Sequence, residues 1–348
     1  MLSLLSQLQE SFGPFRLFKS HSVLILFALY LGFLLSWLAI SLLAGRLPTD
    51  RGRDFAVENA KAKGKPTGAG LLFISVFSFT AVLCAPLTWE IGAIAALTWV
   101  AMLSGYLDDA SASPWGDYRK GLVDLALAVC AALALGLAGS TTIWLPFVKN
   151  PIPLPLWAFI PYATVLMWTA INTTNCSDGV DGLSGTLVTL SLITVGILFY
   201  FVLGRIDVSE YLLLPFIADG AKWAVVIFAL VGCLLAYLWF NAFPSRVLMG
   251  DAGSRALGFF MGAAVIKTGN PFFLVILSTV LLVNGGTGLV KVAFLRFLNV
   301  KIFHGTRFPL HDHVRQNKNW SNTQVMMKFL IIQLLITLGL VGILLKIR

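Results

Sequence analysis

The chain has 348 residues, of which 58% are hydrophobic and 12% are charged, and its mean hydropathy is +0.86. About a quarter of the residues in soluble domains are charged, so this composition excludes an ordinary soluble protein. The formal net charge of +9 could suggest nucleic-acid binding, but the nearly unbroken membrane-spanning pattern leaves no soluble module to carry it. We therefore expect an all-α, polytopic integral membrane protein that forms a single domain over residues 1–348 and binds no nucleic acid.

Apolar runs of roughly 17 to 25 residues are long enough to cross the hydrocarbon core of a bilayer. The sequence contains about ten such runs, and the eighth of them is short. In chain order they lie at 22–44, 68–85, 90–107, 121–138, 156–171, 183–204, 220–240, 254–268, 271–295 and 325–345. Ten crossings would place both termini on the same side of the membrane.

The distribution of Lys and Arg predicts the orientation, because basic residues of short loops stay on the cytoplasmic side. Most of them fall in odd-numbered connections, for example Lys63 and Lys65 in the first, Arg119 and Lys120 in the third, and Arg255 in the seventh. The odd connections are therefore expected in the cytoplasm and both termini outside. We expect a multi-pass protein of the cell inner (plasma) membrane whose active site faces the cytoplasm.

Three acidic motifs in these cytoplasmic connections stand at or just past a predicted helix end. They are "GYLDDAS" with Asp108 and Asp109, "NCSDGVDG" with Asp178 and Asp181, and "LMGDAGSRALG" with Asp251. A carboxylate at the membrane boundary is costly unless it is paired, hydrated or bound to a cation. One such residue could simply cap a helix, and Asp251 is a plausible N-cap. Three groups on one face instead favour Mg²⁺ and phosphoryl transfer, in which the metal takes one or two protein carboxylates.

The ninth connection, "FHGTRFPLHDHVRQNKNW", holds three of the four histidines: His304, His311 and His313. A zinc site would need further ligands that the chain does not obviously offer. A solvated loop is a second interpretation of this stretch. We favour the third, in which these side chains donate hydrogen bonds to a phosphate or a sugar.

Five ordered motifs resemble those of the polyprenyl-phosphate N-acetylhexosamine-1-phosphate transferases. They are "GKPTGAG" at 64–70, "YLDDA" at 106–110, "NTTNCSDGVDGLSG" at 172–185, "NAFPSRVLMGDAGSRALG" at 241–258 and "PLHDH" at 309–313. The resemblance covers nearly the whole chain, including the plan of ten helices. "KPT" and "PLHDH" look more like the MurNAc-pentapeptide branch of this superfamily than the GlcNAc-1-phosphate branch.

The resemblance implies transfer of phospho-MurNAc-pentapeptide from UDP-MurNAc-pentapeptide to undecaprenyl phosphate, giving lipid I and UMP in peptidoglycan synthesis. It also implies Mg²⁺ as the cofactor and contact with membrane lipid. It is compatible with a homodimer. Asp251 would be the metal ligand, with Asp108 and Asp109 as the acidic pair at the reacting phosphates. The implied substrate-binding residues are Lys63, Lys65, Thr67, Lys120, Asn172, Asn175, Asp178, Asp181, Asn241, His311 and His313.

The sequence departs from the family pattern in three places. The family usually has three consecutive histidines where this chain has His311, Asp312 and His313, and "PTMGG" where it has "PTGAG". A Lys that usually follows soon after the acidic pair is missing, and the next basic residues are Arg119 and Lys120. Two alternatives stay open. One is a UDP-GlcNAc:polyprenyl-phosphate GlcNAc-1-phosphate transferase, and the other is a cation-coupled transporter, which would place charges near helix midpoints.

Overall fold

The computed structural model describes residues 2–10, 12–52, 63–111, 113 and 115–347, and helices make up most of them. Its helices are α1 (Leu2–Leu5), α2 (His21–Leu43), α3 (Gly70–Cys84), α4 (Trp89–Ala110), α5 (Asp117–Leu137), α6 (Leu156–Ser177), α7 (Leu183–Leu198), α8 (Ile206–Tyr211), α9 (Gly220–Asn241), α10 (Gly250–Lys267), α11 (Phe272–Leu277), α12 (Thr279–Leu281), α13 (Thr287–Leu298), α14 (Leu310–Lys318) and α15 (Asn322–Lys346). Strands β1 (Thr142–Ile143) and β2 (Ile152–Pro153) pair antiparallel. Short 3₁₀ turns lie at Ser6–Leu8, Gly13–Lys19 and Ala44–Arg46, and π turns at Phe199–Leu203 and Leu282–Gly286. The expected all-α class is confirmed.

Helix lies at each of the ten predicted membrane segments. Within the described residues, seven helical stretches are long and apolar enough to cross a membrane. Helix α3 is shorter, with 15 residues, while α6 and α10 carry more polar residues than such a stretch allows. The polytopic membrane class is therefore confirmed, whereas the count of ten crossings and the side on which the termini lie remain predictions.

Helix α10 is the central helix of the bundle. Every residue from Asp251 to Ile266 is buried, although the segment contains both Asp251 and Arg255. Small residues allow neighbouring helices to approach it closely. A Cβ atom on Gly105 of α4 would lie 2.3 Å from the carbonyl oxygen of Asp251, so only glycine permits this crossing. The packing of α4 on α10 thus brings the acidic end of one helix to the acidic start of the other.

Two predicted boundaries are wrong in ways that affect the site. The eighth segment begins at Gly250 rather than at residue 254, and Arg255, which was expected in the seventh connection, lies inside this buried helix. The ninth segment is not one continuous helix. It consists of α11, α12, the π turn and α13, and the "NGG" at 284–286 falls in the π turn. Such π turns often occur at functional sites.

Extended segments connect the "GKPTGAG" motif to the start of α10. The backbone N–H of Leu248 donates to the carbonyl of Pro66 at 2.8 Å, and that of Ala69 donates to Leu248 at 3.0 Å. Thr49 pairs with Pro66 on the other side. This ladder places Lys65 and Thr67 of the "GKPTGAG" motif beside the loop that leads into α10.

Candidate active site

A cavity of about 1160 Å³ lies where the ends of α4, α6 and α9 meet the starts of α5, α10 and α14. Pockets for a single small ligand usually occupy about 300–1,000 Å³, so this cavity has room for more than one substrate. Its lining combines many acidic and basic side chains, namely Asp50, Arg51, Lys65, Asp108, Asp109, Lys120, Asp178, Asp181, Asp251, Arg307, His311, Asp312 and Arg315. Thr67 and Asn241 also line it.

Lys120 joins two of the three predicted catalytic acids. Its Nζ lies 2.5 Å from Oδ2 of Asp108 and 2.9 Å from Oδ2 of Asp251. Asp108 stands in the last turn of α4, Lys120 in the first turn of α5 and Asp251 in the first turn of α10. The other oxygen of Asp108 accepts the backbone N–H of Trp115 at 2.6 Å. One ammonium group therefore neutralises two nearly buried carboxylates, which would otherwise repel each other.

Asp109 points to a different set of partners. Its Oδ1 accepts the backbone N–H of Asp251 and its Oδ2 that of Ala252, both at 3.0 Å. These N–H groups belong to the first turn of α10, where no carbonyl within the helix can accept them. The N-cap residue, Met249, contributes no side-chain hydrogen bond within the described chain. Asp109 thus caps α10 from a neighbouring helix, and the interpretation of Asp251 as an N-cap is wrong.

Gly250 makes room for this cap. Its φ is +67°, in the left-handed region that favours glycine. A Cβ atom there would lie 2.3 Å from Oδ2 of Asp109. The glycine of the "GDAGS" motif is therefore required by the backbone turn and by the carboxylate that lies against it.

A second polar cluster lies around Asp181. Its Oδ1 accepts the hydroxyl of Ser245 at 2.8 Å, and its Oδ2 accepts the backbone N–H of the same residue at 3.0 Å. Lys65 donates to the Ser245 hydroxyl at 2.9 Å. The buried amide of Asn241 accepts a backbone N–H from the loop before α7 and donates to a carbonyl in the loop before α10, both at 2.8 Å. The predicted polar residues hold these two loops together at the wall of the cavity.

His311 is fixed by Asn284, which lies in the π turn. The Oδ1 atom of Asn284 accepts the backbone N–H of His311 at 2.8 Å and lies 3.1 Å from its Nδ1. Because the backbone N–H identifies Oδ1 as an acceptor, Nδ1 must carry the proton, and Nε2 is the acceptor of the neutral ring. His311 and the neighbouring Asp312 are buried in α14, so the interpretation as a solvated loop is wrong for this part of the stretch, whereas His304 is exposed in the turn before it.

Asp312, the residue that departs from the family's histidine triplet, lies between two arginines. Its Oδ1 is 3.3 Å from Nη1 of Arg315, and its Oδ2 is 3.9 Å from Nε of Arg307. Both arginines line the cavity. The acid therefore helps to hold two guanidinium groups at the wall, where guanidinium groups suit phosphate or carboxylate.

Four predicted substrate-binding residues lie outside the cavity lining defined by the described residues: Lys63, Asn172, Asn175 and His313. Helix α6 continues to Ser177 instead of ending at 171, so Asn172 and Asn175 are helical, and the Asn172 amide donates to a carbonyl one turn earlier. Lys63 is exposed in the turn before its motif. His313 accepts the backbone N–H of Arg307 at 3.3 Å and so supports a residue of the cavity wall.

Two buried ion pairs have no counterpart in the sequence-based predictions. Arg255 of α10 donates to Oδ1 of Asp124 of α5 from both Nε (2.8 Å) and Nη2 (2.5 Å). At the far end of α10, Lys267 contacts Glu90 at 2.7 Å and Ser140 at 2.9 Å. A signal for the first pair was present, since opposite charges recur four residues apart on both helices.

The comparisons with known proteins agree with this architecture. The profile of glycosyl transferase family 4 matches residues 91–269. The chain is 50% identical to a phospho-N-acetylmuramoyl-pentapeptide-transferase of Treponema pallidum, over 100% of this chain and 97% of the relative. It is 33% identical to the enzyme of that name from Opitutus terrae, over 96% of both chains, and 31% identical to that from Campylobacter jejuni, over 81% of this chain and 82% of the relative.

A bundle of apolar helices with an acidic, lysine-bridged cavity at one end, together with the family profile, defines a membrane-bound transferase. The identities extend beyond the profile to the whole chain. The chain belongs to glycosyl transferase family 4 and, within it, to the phospho-N-acetylmuramoyl-pentapeptide-transferases.

Proposed function

We propose that the protein transfers phospho-MurNAc-pentapeptide from UDP-MurNAc-pentapeptide to undecaprenyl phosphate, releasing UMP and forming lipid I for peptidoglycan synthesis. The observation that carries the proposal is the convergence of Asp108, Lys120 and Asp251 in one large cavity, in a chain 50% identical over its full length to an enzyme named for this transfer. The cavity has room for a nucleotide-sugar and a lipid phosphate together.

The donor's nucleotide binds, in this proposal, along the wall that contains Asp178, Asp181 and Asn241. A uracil edge offers both donors and acceptors of hydrogen bonds, which carboxylate and amide groups complement. Lys65, Arg307 and Arg315 supply positive charge for the donor's phosphates or its peptide carboxylates. The lining thus contains both classes of group that a charged nucleotide-sugar requires.

The residues present fit Mg²⁺ as the cofactor. Oδ2 of Asp108 and Oδ2 of Asp251 both lie within 2.9 Å of one ammonium nitrogen, so two carboxylate oxygens converge on one cation. Mg²⁺ typically takes one or two protein carboxylates and leaves its other positions to water and phosphate. Asp251 would hold the ion, which when bound would neutralise phosphate charge.

The protein's own groups orient the reactants for direct attack by the lipid phosphate. Asp108 accepts the acceptor's proton or orients its phosphate, and Lys120 offsets the negative charge that accumulates as the two phosphates approach. An acceptor oxygen forms a bond to the phosphorus that bears the sugar, and the bond from that phosphorus to the oxygen of UMP breaks. Asp109 keeps the first turn of α10, and with it Asp251, in place.

The test is release of UMP by the purified protein in detergent with Mg²⁺ and polyprenyl phosphate. UDP-MurNAc-pentapeptide and UDP-GlcNAc are compared side by side. We expect much faster turnover with the muramyl donor, and Asp251→Asn serves as the inactive control. Preferential use of UDP-GlcNAc would assign the protein to the GlcNAc-1-phosphate branch. Failure to release UMP from either donor would reject the transferase proposal.

We also propose that the cavity faces the cytoplasm of the inner membrane, as the basic connections predict. Cys176 lines the cavity, whereas Cys130 is exposed on α5. A membrane-impermeant maleimide should therefore label Cys176 of a Cys130→Ser variant in inverted vesicles but not in intact spheroplasts. The opposite pattern would reverse the orientation. A homodimer stays a prediction, which the mass of the detergent-solubilised protein tests.

A further inference from the structure

Two ionic contacts join α5 to α10 one helical turn apart. In the first, Lys120 contacts Asp251 at 2.9 Å, and in the second, Asp124 contacts Arg255 at 2.5 Å. The partners are spaced four residues apart on both helices, so they lie above one another on facing sides. Both helices begin at the cavity and run into the bundle from there. The two contacts therefore form successive rungs of a ladder, and the first rung is part of the active site.

The signs of the charges alternate between the rungs. Helix α5 contributes the cation to the first rung and the anion to the second, and α10 does the reverse. A slip of one turn, about 5.4 Å, would place Lys120 against Arg255 or Asp124 against Asp251. Like charges in a region from which water is excluded repel each other strongly. The ladder thus favours one register by penalising its neighbours.

We infer that Asp124 and Arg255 form a positioning pair for the transfer reaction, which sets the register of α5 on α10 and thereby holds Lys120 against Asp108 and Asp251. Arg255 is 0% exposed and Asp124 is 2% exposed. Neither is among the residues that line the cavity in the described chain, so both act through the first rung and not on substrate. Helix α5 packs mainly on α6 and α4, and its direct contact with α10 is narrow, so the two ionic contacts make up much of the polar contact between α5 and α10 among the described residues.

The first experiment separates positioning from simple stabilisation, and it rests on the proposed function because its readout is turnover. Replacing a buried ion pair by apolar residues is often neutral for folding. Asp124→Leu with Arg255→Leu should therefore melt close to the wild type. We expect kcat to fall at least tenfold while KM for the donor changes less than twofold, because the cavity wall that binds the donor is unaltered. A folded double variant with wild-type kcat would overturn the inference.

The second experiment asks whether the pair acts through Lys120. The kcat of Lys120→Met, of the double leucine variant and of the triple variant are compared in a mutant cycle. We expect the triple variant to be no slower than Lys120→Met alone, since the pair has nothing left to position. Losses that multiply would overturn the inference. If the double leucine variant is not recovered folded, Asp124→Asn replaces it in the same cycle, with the same two outcomes.

A charge swap and a conservative change complete the test. Exchanging Asp124 and Arg255 keeps an ion pair but puts like charges next to Lys120 and Asp251, so we expect activity to stay low. Recovery of wild-type kcat by the swapped variant would refute the claim that the alternating charges set the register of α5 on α10. Arg255→Lys keeps the sign and should retain at least a third of wild-type kcat, and loss as large as in the double leucine variant would count against the inference. Wild-type protein inactive with either donor would instead refute the proposed function.

Discussion

Replacing Asp109 tests the cap that α4 supplies to the first turn of α10. Each carboxylate oxygen accepts one backbone N–H at 3.0 Å. A hydrogen bond to a charged group contributes about 1.5–3 kcal/mol, and loss of a helix cap costs about 0.5–2 kcal/mol. Because the carboxylate is itself desolvated, we take the lower end of the hydrogen-bond range, about 1.5 kcal/mol for each of the two bonds. We therefore expect Asp109→Ala to lower the free energy of unfolding by about 3 kcal/mol. Asp109→Asn keeps one acceptor but turns an amide donor towards the other N–H, and should cost about 2 kcal/mol.

These losses should appear both in thermal stability and in turnover. For a chain of this size, about 3 kcal/mol corresponds to a fall in melting temperature on the order of 5 °C. The frayed turn contains Asp251, and a displacement of about 1 Å at a reacting group can cost about 100-fold in rate. Melting and UMP release are measured on the same detergent-purified samples. Asp117→Asn is the matched control, because that acid is 80% exposed at the start of α5 and should behave like the wild type.

The two measurements together decide what Asp109 does. Loss of turnover with an unchanged melting temperature would show that Asp109 acts on substrate and that its cap is unimportant. Wild-type melting and wild-type turnover in Asp109→Ala would reject both roles. The expected result, a parallel fall in both quantities with alanine worse than asparagine, would identify the carboxylate as the group that holds Asp251 in position.

Three further predictions concern the surroundings of this cap. Asp251→Asn should reduce UMP release at least 100-fold. Its melting temperature should stay within a few degrees of the wild type, because Lys120 keeps its contact with Asp108. Undiminished turnover would reject the catalytic role of Asp251. Gly105→Ala, whose new Cβ would lie 2.3 Å from a backbone oxygen of α10, should lower both stability and turnover, whereas Gly92→Ala on the same helix meets open space and should do neither. Glu90→Gln should lower stability by about 3 kcal/mol by leaving the buried Lys267 ammonium poorly paired, and Glu90→Leu with Lys267→Met should restore much of it; equal melting of all three proteins would contradict this.

The sequence predicted the parts of the site that depend on helix ends. Hydropathy located those ends, and the positive-inside rule grouped Asp108, Asp109, Asp178, Asp181 and Asp251 on one face, where the structure brings all of them to one cavity. The structure also shows which lysine lies at the acidic pair, although the lysine that usually follows this pair in the family is missing here. Lys120 reaches Asp108 because the chain turns back after α4 and begins α5 beside it.

Other parts could not be predicted, for physical reasons. The cap from Asp109 is made to backbone N–H groups, which leave no trace in residue identity. The polar end of α6 resembled a loop because Asn and Thr lower the hydropathy, but Asn172 and Asn175, which the resemblance implied as substrate-binding residues, belong to the helix. Arg255 was assigned to a loop because the positive-inside rule groups basic residues in the connections, whereas its buried partner, Asp124, lies on another helix and is not adjacent in sequence.

The different partners of Asp108 and Asp109 also favour a one-step mechanism. Both oxygens of Asp109 accept backbone N–H groups, so a nucleophilic attack by this residue would break the cap of α10. The oxygens of Asp108 accept the backbone N–H of Trp115 and contact Lys120, so a covalent bond from Asp108 to phosphorus would break one of these contacts. The lipid phosphate is itself an adequate nucleophile. We therefore expect that enzyme and UDP-MurNAc-pentapeptide, mixed with Mg²⁺ but without polyprenyl phosphate, release no stoichiometric burst of UMP. A burst accompanied by sugar phosphate bound covalently to either aspartate would establish the two-step route and refute direct attack.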